Sequence, residues 1–335
     1  MRIELDYSLE RHNTFRLPAK AHRFIEYENK EELSRILRDD SFHSITFFSI
    51  GEGSNLLFVN DFNGTILHSR IKGVTIAENT SDTILLRVGA AELWDDVVAF
   101  SVLNGWGGIE NLSLIPGVAG AAAVQNIGAY GVEIKDVVEK VEAFNQLSGE
   151  KRIFTNKDCR YGYRHSYFKE TDHEPYIITS VDIRLQKIPQ YKLEYGNLKE
   201  MLKGSGITLQ SVRNAIIKIR REKLPDPQEL SNAGSFFMNP VIPQSQFNEL
   251  LNQYPAIPNY PAPDDNVKIL AGWLIEQCGF KGKREGNVGV YEKQALVLVN
   301  YGGATGQEIA SFASTIQQAV HQKFNIPLTP EVLLM

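Results

Sequence analysis

The feature that most constrains this chain is a glycine-dense segment near its middle. Seven of the 26 glycines lie between residues 105 and 131, together with Pro116 and a run of alanines. These residues add little side-chain volume, and glycine permits close backbone approaches that other residues exclude. The longest apolar stretch, residues 114–124, is interrupted by Pro116, Gly117 and Gly120. We therefore expect this backbone to pass close to a ligand rather than to form a packed helix.

A second motif, GEGSN at residues 51–55, lies between two strand-like runs. It offers consecutive main-chain N–H groups and two short polar side chains, which suit a pyrophosphate. The alternative is a tight strand-to-strand turn in which glycine only provides a positive φ. The motif taken alone does not decide between these two interpretations.

Several standard signatures are missing from the sequence, which has no GxGxxG opening a helix, no GxxxxGK[ST], no HExxH and no GxSxG. Their absence disfavours Rossmann dehydrogenases, P-loop NTPases, zincins and serine hydrolases. Cys159 and Cys278 fit neither a CxxC motif nor a Cys/His metal spacing. We expect two reduced, structural thiols and no metal site.

Composition restricts the partners and the location of the protein. With 35 Lys+Arg against 40 Asp+Glu, the chain has no general basic field for nucleic acid or an anionic membrane. Charges occupy the N-terminus, where a signal peptide needs an apolar stretch, and no run approaches the about 18 apolar residues of a membrane span. We expect a soluble, cytoplasmic protein in which any anionic ligand binds at a local site, and our hypothesis for its oligomeric state is a monomer.

The length and the hydrophobic pattern indicate more than one lobe. At 335 residues the chain exceeds the roughly 250–300 residues at which single cores stop growing. Apolar periodicity predicts helices at 30–38, 92–103, 211–223, 271–277 and from Thr305 onward. Thr305 and Glu308 form a capping-box pattern at the start of the last of these helices. Apolar periodicity also predicts strands at 23–27, 44–50, 65–67, 84–88, 137–144, 151–154, 176–185 and 295–299. The proline pair at 225–227 marks a plausible domain boundary.

Seven motifs follow one another along nearly the whole chain. They are GEGSN at 51–55, the block from IPG to QNIGAYG at 115–131, CRYGYRHSYFK at 159–169, NAGSFFMNP at 232–240, AGWLIEQCGFKG at 271–282, QALVLVN at 294–300 and PEV at 330–332. In this order they closely resemble the UDP-N-acetylenolpyruvoylglucosamine reductases, also called UDP-N-acetylmuramate dehydrogenases or the MurB family. The tyrosine-bearing stretch at 191–197 resembles the insertion of the longer branch of that family.

The resemblance implies an α+β fold with a two-lobed FAD-binding module of the vanillyl-alcohol-oxidase (PCMH) type and a smaller α+β substrate-binding domain. The implied domains are a first FAD lobe at 1–70, to which 327–335 return, a second FAD lobe at 71–220 and a UDP-sugar domain at 221–326. The implied reaction uses NADPH and noncovalent FAD to reduce UDP-N-acetylglucosamine enolpyruvate to UDP-N-acetylmuramate in peptidoglycan synthesis. In the implied reaction, hydride passes from flavin N5 to C3 of the enolpyruvyl group.

The resemblance also implies site residues at the matching positions. The implied cofactor-binding residues are Gly51, Gly53, Ser54, Asn55, Ile115, Pro116, Gly117, Gln125, Asn126 and Gly128. The implied substrate-binding residues are Tyr195, Lys223, Asn239, Tyr260 and Gln294, with Tyr195 on a mobile lid.

Three residues match the catalytic positions of the family. The fixed planar cation of Arg164 can polarise the substrate carboxylate as negative charge develops at C2. Ser235 matches the proton donor to C2, and Glu331 matches the glutamate working on the opposite side, protonated or bridged through water. Without the resemblance, Arg164 and Glu331 would be read as solvated charges, and Ser235 as a turn or capping residue.

One departure and two alternatives stay open. Many relatives continue PEV with an arginine, whereas this chain has Leu333; Arg70 or Arg220 could supply the missing charge, or cofactor affinity could be lower. One alternative function is an FAD oxidase of the same superfamily, revealed by rapid reoxidation of its reduced flavin by oxygen. The other is a catalytically silent module that binds sugar nucleotides without flavin.

Overall fold

The computed structural model describes residues 1–39, 46–170, 172, 174–204 and 206–335. Within it the chain forms two compact units. Unit 1 contains Met1–Tyr7, Ala21–Glu52 and Asn63–Arg220, and unit 2 contains Ser8–Lys20, Gly53–Phe62 and Arg221–Met335. The GEGSN motif is therefore divided, with Gly51 in unit 1 and Gly53 in unit 2.

Strands and helices are numbered here in chain order. The strands are β1 Arg2–Ser8, β2 Lys20–Tyr27, β3 Phe47–Ile50, β4 Leu56–Leu57, β5 Phe62–Ser69, β6 Val74–Asn79, β7 Thr83–Gly89, β8 Gly128–Ala129, β9 Val132–Glu133, β10 Val138–Asn145, β11 Lys151–Thr155, β12 Tyr176–Gln186, β13 Ser231–Ser235, β14 Val241–Pro243, β15 Asn259–Ala262, β16 Asn266–Ile269, β17 Arg284–Glu285, β18 Val288–Val290, β19 Val297–Asn300 and β20 Leu333–Leu334. The α-helices are α1 Lys30–Arg38, α2 Trp94–Leu103, α3 Ala119–Gln125, α4 Leu198–Met201, α5 Leu209–Lys223, α6 Gln244–Gln253, α7 Ala271–Gln277 and α8 Gly306–Phe324.

Unit 1 is built on two sheets. One has the order β1-β2-β5-β3 and shares a core with the buried face of α1, where Leu33, Ile36 and Leu37 pack. The other has the order β11-β10-β12-β7-β6, and its central strand β12 is buried along most of its length. Helices α2 and α3 contribute to the core of this second sheet. The buried residues of β12 include polar ones, and these are paired: the Thr179 hydroxyl donates to the Glu142 carboxylate, and the Asp182 carboxylate accepts from Arg87.

Helix α1 begins where its sequence predicts. The side chain of Asn29 accepts a hydrogen bond from the Glu32 N–H, which satisfies one of the unpaired donors of the first turn. The predicted helix at 30–38 is confirmed. The first part of the predicted strand at 44–50 lies outside the described residues, and β3 occupies the remainder.

The prediction that residues 114–124 do not form a packed helix is wrong in part. Residues 119–125 form α3, and Ala119, Gly120, Ala122 and Ala123 are buried. Alanine has the highest intrinsic helix propensity, and the small side chains let the helix lie directly on its neighbours. A Cβ on Gly120 would lie 2.9 Å from the Cβ of Ala90. The glycine here serves close packing inside the protein.

Unit 2 surrounds a single large core. A sheet of order β13-β19-β18-β17 and a second of order β14-β16-β15 pack with α6, α7 and α8. Helix α8 has the predicted capping box, in which the Thr305 side chain binds the Glu308 N–H and the Glu308 carboxylate binds the Thr305 N–H. The C-terminal strand β20 pairs in parallel with β4, with Leu333 opposite Leu56. This pairing brings the end of the chain beside the residues that follow GEGSN.

Candidate active site

Gly51 and the start of α3 are in direct contact in unit 1. A Cβ on Gly51 would lie 2.6 Å from Cγ2 of Val118 and 3.7 Å from Cβ of Ala121. A contact of 2.6 Å is too short for any real side chain, so glycine is required at this position unless the backbone moves. The two glycine-containing segments singled out in the sequence therefore meet in the fold.

The loop that precedes α3 is fixed by main-chain hydrogen bonds. The Trp94 N–H donates to the Gly117 carbonyl (3.0 Å), and Gly117 has a φ of 109°. The Ala119 N–H donates to the Glu92 carbonyl at 2.9 Å. Pro116 is exposed and Ile115 is half-buried. The predicted flavin residues Ile115, Pro116 and Gly117 thus lie on an accessible loop whose backbone is held in place.

Asn126 joins the end of α3 to the segment that carries Arg164. Asn126 is fully buried and has a φ of 46°. Its Nδ2 donates to the Gly162 carbonyl (2.7 Å), and its Oδ1 accepts from the Lys135 N–H (3.2 Å). Because protein groups occupy this amide, any contact of Asn126 with a cofactor would have to come from its main chain.

Arg164 lies in a two-residue turn closed by Gly162 and His165, which exchange both main-chain hydrogen bonds. Its φ is 54°, an unusual value for a residue with a Cβ. Its Nη2 donates to the Gly128 carbonyl (2.7 Å), and its guanidinium carbon lies 5.3 Å from the centre of the Tyr163 ring. A Cβ on Gly128 would lie 3.0 Å from Nη1. Glycine at 128 therefore allows the guanidinium to approach the backbone.

Lys169 connects the same turn to α3. Its Nζ donates to the Arg164 carbonyl (3.0 Å) and to Oε1 of Gln125 (2.9 Å). The structure therefore brings together three of the predicted residues, Gln125, Gly128 and Arg164, on adjoining segments of unit 1. A strained turn of this kind persists only where its surroundings fix it.

Tyr195 lies against the hairpin formed by β8 and β9. Its ring meets the Tyr130 ring edge to face, with centres 5.9 Å apart, and it remains partly exposed. The Asn111 side chain donates from Nδ2 to the carbonyls of Tyr130 and Lys192, both at 2.8 Å. Asn111 therefore connects the tyrosine-bearing stretch at 191–197 to the glycine-dense segment. This role could not be predicted from the sequence, because the two carbonyl partners lie 19 and 81 residues away in the chain.

A carboxylate between two arginines lies beside the loop before α3. Asp95 receives hydrogen bonds from Arg213 and from the Leu114 N–H. The Nε of Arg220 is buried and has no hydrogen-bond partner among the described residues. Burial lowers the pKa of Arg220, while Tyr130 and Asp95 act in the opposite direction. No sequence motif indicates Asp95 or Arg213, and the sequence indicates Arg220 only as one possible replacement for the arginine that many relatives have at position 333.

Gly53, in unit 2, is required to be glycine both by its backbone conformation and by a close contact. Its φ is 64°, and a Cβ there would lie 1.9 Å from the carbonyl oxygen of His12. Two residues later, the side chain of Asn55 donates to the Glu331 carbonyl (3.0 Å), and the Leu333 N–H donates to the Asn55 carbonyl (3.0 Å). The turn at 53–55 is thereby tied to the segment that carries Glu331.

Ser235 and Glu331 lie on segments that pair through their main chains. The Glu331 N–H donates to the carbonyl of Phe236, the residue after Ser235, at 2.8 Å, and Phe237 forms a bridge with Pro330. Ser235 ends β13 after Gly234, whose φ is 71°. Both catalytic candidates are half-buried, and the Ser235 hydroxyl has no hydrogen-bond partner in the described part of the chain. The structure therefore brings these two residues together.

Two of the predicted substrate residues meet at the start of α7. Oδ1 of Asn239 accepts from the Ala271 N–H (2.9 Å), and a Cβ on Gly272 would lie 3.0 Å from Oε1 of Gln294. Tyr260 lies on β15, and Lys223 lies exposed at the end of α5. In the described residues, neither of them shares a hydrogen bond with Asn239 or Gln294.

The described residues offer neither a metal-binding cluster nor a membrane-spanning helix. No group of three or more His, Cys, Asp or Glu side chains among them could hold a metal ion. None of the helices described is both long and apolar enough to cross a membrane.

Comparison with known protein families defines the class of this molecule. Residues 21–152 match the FAD binding domain, and residues 226–335 match the C-terminal domain of UDP-N-acetylenolpyruvoylglucosamine reductase. The chain is therefore a flavoprotein with an α+β fold, as the sequence predicts. A crystal structure of the reductase from Thermus caldophilus has the same fold, with a TM-score of 0.69 at 22% identity over 99% of this chain and 98% of that one.

Curated relatives identify the family. The chain is 53% identical over 334 residues to the UDP-N-acetylenolpyruvoylglucosamine reductase of Porphyromonas gingivalis, covering 99% of both chains. It is 48% identical over 331 residues to that of Bacteroides fragilis, covering 98% of this chain and 99% of the relative. This chain belongs to the UDP-N-acetylenolpyruvoylglucosamine reductase family, and the predicted resemblance is confirmed.

The residues of unit 1 fit a flavin in their chemistry. Gly117, half-buried beside the exposed Pro116, leaves main chain accessible to a flat ring, and Arg220 offers a buried donor that lacks an acceptor among the described residues. A buried donor without a partner is costly, so this position favours a ligand with acceptor atoms or negative charge. The ring nitrogens and carbonyl oxygens of a flavin are such acceptors.

Proposed function

We propose that this protein is the NADPH-dependent flavoenzyme that reduces UDP-N-acetylglucosamine enolpyruvate to UDP-N-acetylmuramate for peptidoglycan synthesis. Family membership over the whole chain supports the reaction class. The main observation that supports the catalytic roles of Ser235 and Glu331 is the main-chain pairing of the segments on which they lie. In the overall reaction one hydride and one proton add across the carbon–carbon double bond, and NADPH becomes NADP⁺.

Bound FAD supplies hydride transfer between the nicotinamide and the substrate. The residues of the chain supply binding, orientation and proton transfer. Arg164 binds the enolpyruvyl carboxylate, and its charge stabilises the negative charge that develops at C2. Its orientation depends on the Gly162–His165 turn and on the hydrogen bond to Gly128. Rigid support of this kind matters because small displacements of a charge-stabilising group reduce the rate.

Ser235 donates its hydroxyl proton to C2 in this proposal. A serine hydroxyl is a weak acid, so donation requires a strongly basic carbon and a precise position. The hydroxyl lacks a protein partner in the described residues, which leaves it available to substrate. Glu331, held by its N–H and its carbonyl, acts on the same developing charge, protonated or through a bridging water.

The other assignments belong to the same proposal. The pyrophosphate is held by Gly51, Gly53, Ser54 and Asn55. The flavin is lined by Ile115, Pro116, Gly117, Gln125, Asn126 and Gly128. The side chain of Asn126 also positions Arg164. Tyr195, Lys223, Asn239, Tyr260 and Gln294 bind the UDP-sugar. The proposal also includes the division into two FAD lobes and a substrate domain, and a monomeric state. Sedimentation of the purified protein tests the monomeric state.

The leucine at position 333 leaves one positive charge to be supplied elsewhere, and Arg220 is the better of two candidates. Arg70 is exposed and already lies 4.0 Å from the Glu26 carboxylate. Arg220 has a buried, unpartnered Nε beside the glycine-dense segment. We therefore assign to Arg220 the cation that accompanies the flavin.

Substrate-dependent oxidation of NADPH by the purified yellow protein tests the function. The Ser235→Ala variant should still let NADPH bleach the flavin, but reoxidation by the enolpyruvyl substrate should slow by about 10²–10⁴-fold. Normal turnover in this variant would remove Ser235 from the mechanism. A protein that gains no flavin on reconstitution contradicts the whole proposal. Rapid reoxidation by oxygen with no response to the UDP-sugar supports an oxidase instead.

A further inference from the structure

Asp95 is a junction between three segments of unit 1. It lies in the first turn of α2, and its Oδ1 accepts hydrogen bonds from Nη1 of Arg213 (2.6 Å) and from the Leu114 N–H (2.5 Å). Its Oδ2 accepts from Nη2 of Arg213 (2.8 Å). One carboxylate therefore connects α2, α5 and the loop before α3. A bidentate arginine pair of this kind fixes orientation as well as distance.

The loop residue bound by Asp95 is itself strained. Leu114 has a φ of 60°, in the left-handed region that branched side chains rarely adopt. Its neighbour Ser113 is fully buried and donates from Oγ to the Glu110 carbonyl at 2.6 Å. Residues held in such a conformation keep it only when several contacts determine it. The hydrogen bond to Asp95 is therefore part of what sets the direction in which the chain continues to residues 115–117.

Asp95, Arg213 and Arg220 form a cluster whose charges do not balance. Arg213 and Arg220 are seven residues apart on α5, which places them two helical turns apart on one face. Both oxygens of Asp95 are occupied by Arg213, and one also binds the Leu114 N–H. Arg220 is attracted to the same carboxylate but forms no hydrogen bond with it. Two arginines thus share one carboxylate, and the positive charge of Arg220 remains uncompensated within the cluster.

We propose that Asp95 and Arg213 are positioning residues for the flavin, an inference that rests on the FAD-dependent function proposed above. Asp95 fixes the Leu114 turn from which residues 115–117 reach the cofactor. Arg213 occupies the carboxylate of Asp95 and so prevents it from capturing Arg220. The charge of Arg220 then remains available to the flavin, whose reduced form carries additional negative charge.

Each residue has a distinct expected effect. Asp95→Asn removes the charged acceptor of the Leu114 N–H, so FAD should bind the apoprotein about tenfold more weakly, and the Leu114 amide should exchange with solvent faster even without FAD. Arg213→Gln leaves Asp95 free to pair with Arg220. The midpoint potential of the bound flavin should then become more negative, because the reduced anion loses the stabilising charge.

Two further variants separate positioning from mere support of the fold. In the double variant Asp95→Asn, Arg213→Gln no carboxylate remains to capture Arg220, so the potential should return to that of the unmodified protein while FAD affinity stays low. Arg213→Lys keeps the positive charge and should also preserve the potential. The matched control is Arg87→Gln in unit 1, because Arg87 and Asp182 form another bidentate pair, at 2.8 and 2.7 Å. That control should change neither FAD affinity nor potential.

The measurements are FAD titration of each apoprotein, potentiometric titration of each flavin-loaded protein and hydrogen exchange at Leu114. Unchanged affinity in Asp95→Asn together with unchanged potential in Arg213→Gln overturns the inference. An equal shift of the potential in Arg87→Gln also overturns it, since the effect would then be general. If the unmodified protein itself binds no FAD, the proposed function fails, which is a separate outcome. If Asp95→Asn does not fold, the comparison of Arg213→Gln with Arg213→Lys still decides the question.

Discussion

The segments that carry the catalytic candidates are held in place in two different ways. In unit 1, Arg164 is positioned by side chains: Asn126 binds the carbonyl of Gly162, and Lys169 binds the carbonyl of Arg164. In unit 2, the segments of Ser235 and Glu331 are positioned mainly by main-chain hydrogen bonds, such as that from the Glu331 N–H to the Phe236 carbonyl. The first arrangement should be sensitive to the loss of a polar side chain, and the second to changes that the backbone cannot accommodate.

The largest effect is expected at Gly53 in unit 2, where the main chain leaves no room for a side chain. In Gly53→Ala the new methyl group would lie 1.9 Å from the His12 carbonyl oxygen, at a φ of 64°. We expect the free energy of unfolding to fall by about 3–5 kcal/mol, as for severe backbone and packing defects. Urea unfolding followed by circular dichroism measures this loss.

Gly279→Ala is the matched control for that experiment. Gly279 also lies in unit 2 and has a φ of 77°, but a Cβ there meets no atom within 4 Å. Only the left-handed backbone then opposes the substitution, at about 1–2 kcal/mol. Equal losses in the two variants would show that the conformation, and not the contact with His12, makes glycine necessary at 53.

A smaller effect is expected from breaking the side-chain arrangement. Asn126→Ala removes the hydrogen bonds to Gly162 and Lys135 and leaves a buried carbonyl and N–H without partners. The expected cost in unfolding free energy is about 1–3 kcal/mol. Because the turn of Arg164 loses its anchor, the KM for the enolpyruvyl substrate should also rise.

Asn156→Ala provides the comparison for Asn126→Ala. Asn156 also donates two side-chain hydrogen bonds to carbonyls in unit 1, those of Lys135 and Val138, each at 2.8 Å. It makes neither of the contacts that hold the Arg164 turn. Its loss should reduce stability while KM stays unchanged, and a rise in KM of similar size in both variants would contradict the role given to Asn126.

The two arrangements also differ in how far the sequence predicts them. Local signals succeed where the partners are close in sequence: the apolar periodicity of α1 and the capping box of α8 are examples. The motifs identified the family because their residue order is specific. Glycine composition alone misled in one respect, since Gly120 packs α3 against Ala90 within the protein core.

Long-range side-chain contacts could not be predicted from the sequence. Asp95 and Arg213 are separated by 118 residues, and neither lies in a motif. The buried amide of Asn126 lies in a motif, but its partner at Gly162 depends on how α3 ends and on where the Arg164 turn lies. Such contacts follow from how α2, α3 and α5 pack together. A pattern of apolar residues indicates which face of a helix is buried, but not which residues of two packed helices lie opposite each other.

The smallest expected effect is a pH dependence of the stability that a side-chain carboxylate provides. It distinguishes the two arrangements, because a carboxylate loses its charge in acid whereas the groups of a main-chain hydrogen bond do not titrate there. Burial acts to raise the pKa of Asp95, but the hydrogen bonds from Arg213 and the Leu114 N–H outweigh it and hold that pKa below its ordinary value. A lowered pKa in the folded state means that the unfolded state binds the proton more readily. The stabilisation from Asp95 is therefore complete at neutral pH and is lost as the pH falls below about 4 and through the folded-state pKa. Asp95→Asn should be less stable than the unmodified protein by about 1.5 kcal/mol at pH 7, and the difference should shrink as the pH is lowered towards 3. Urea unfolding of both proteins across this range measures it, and a difference that stays constant with pH would mean that the Asp95 charge does not hold the Leu114 loop.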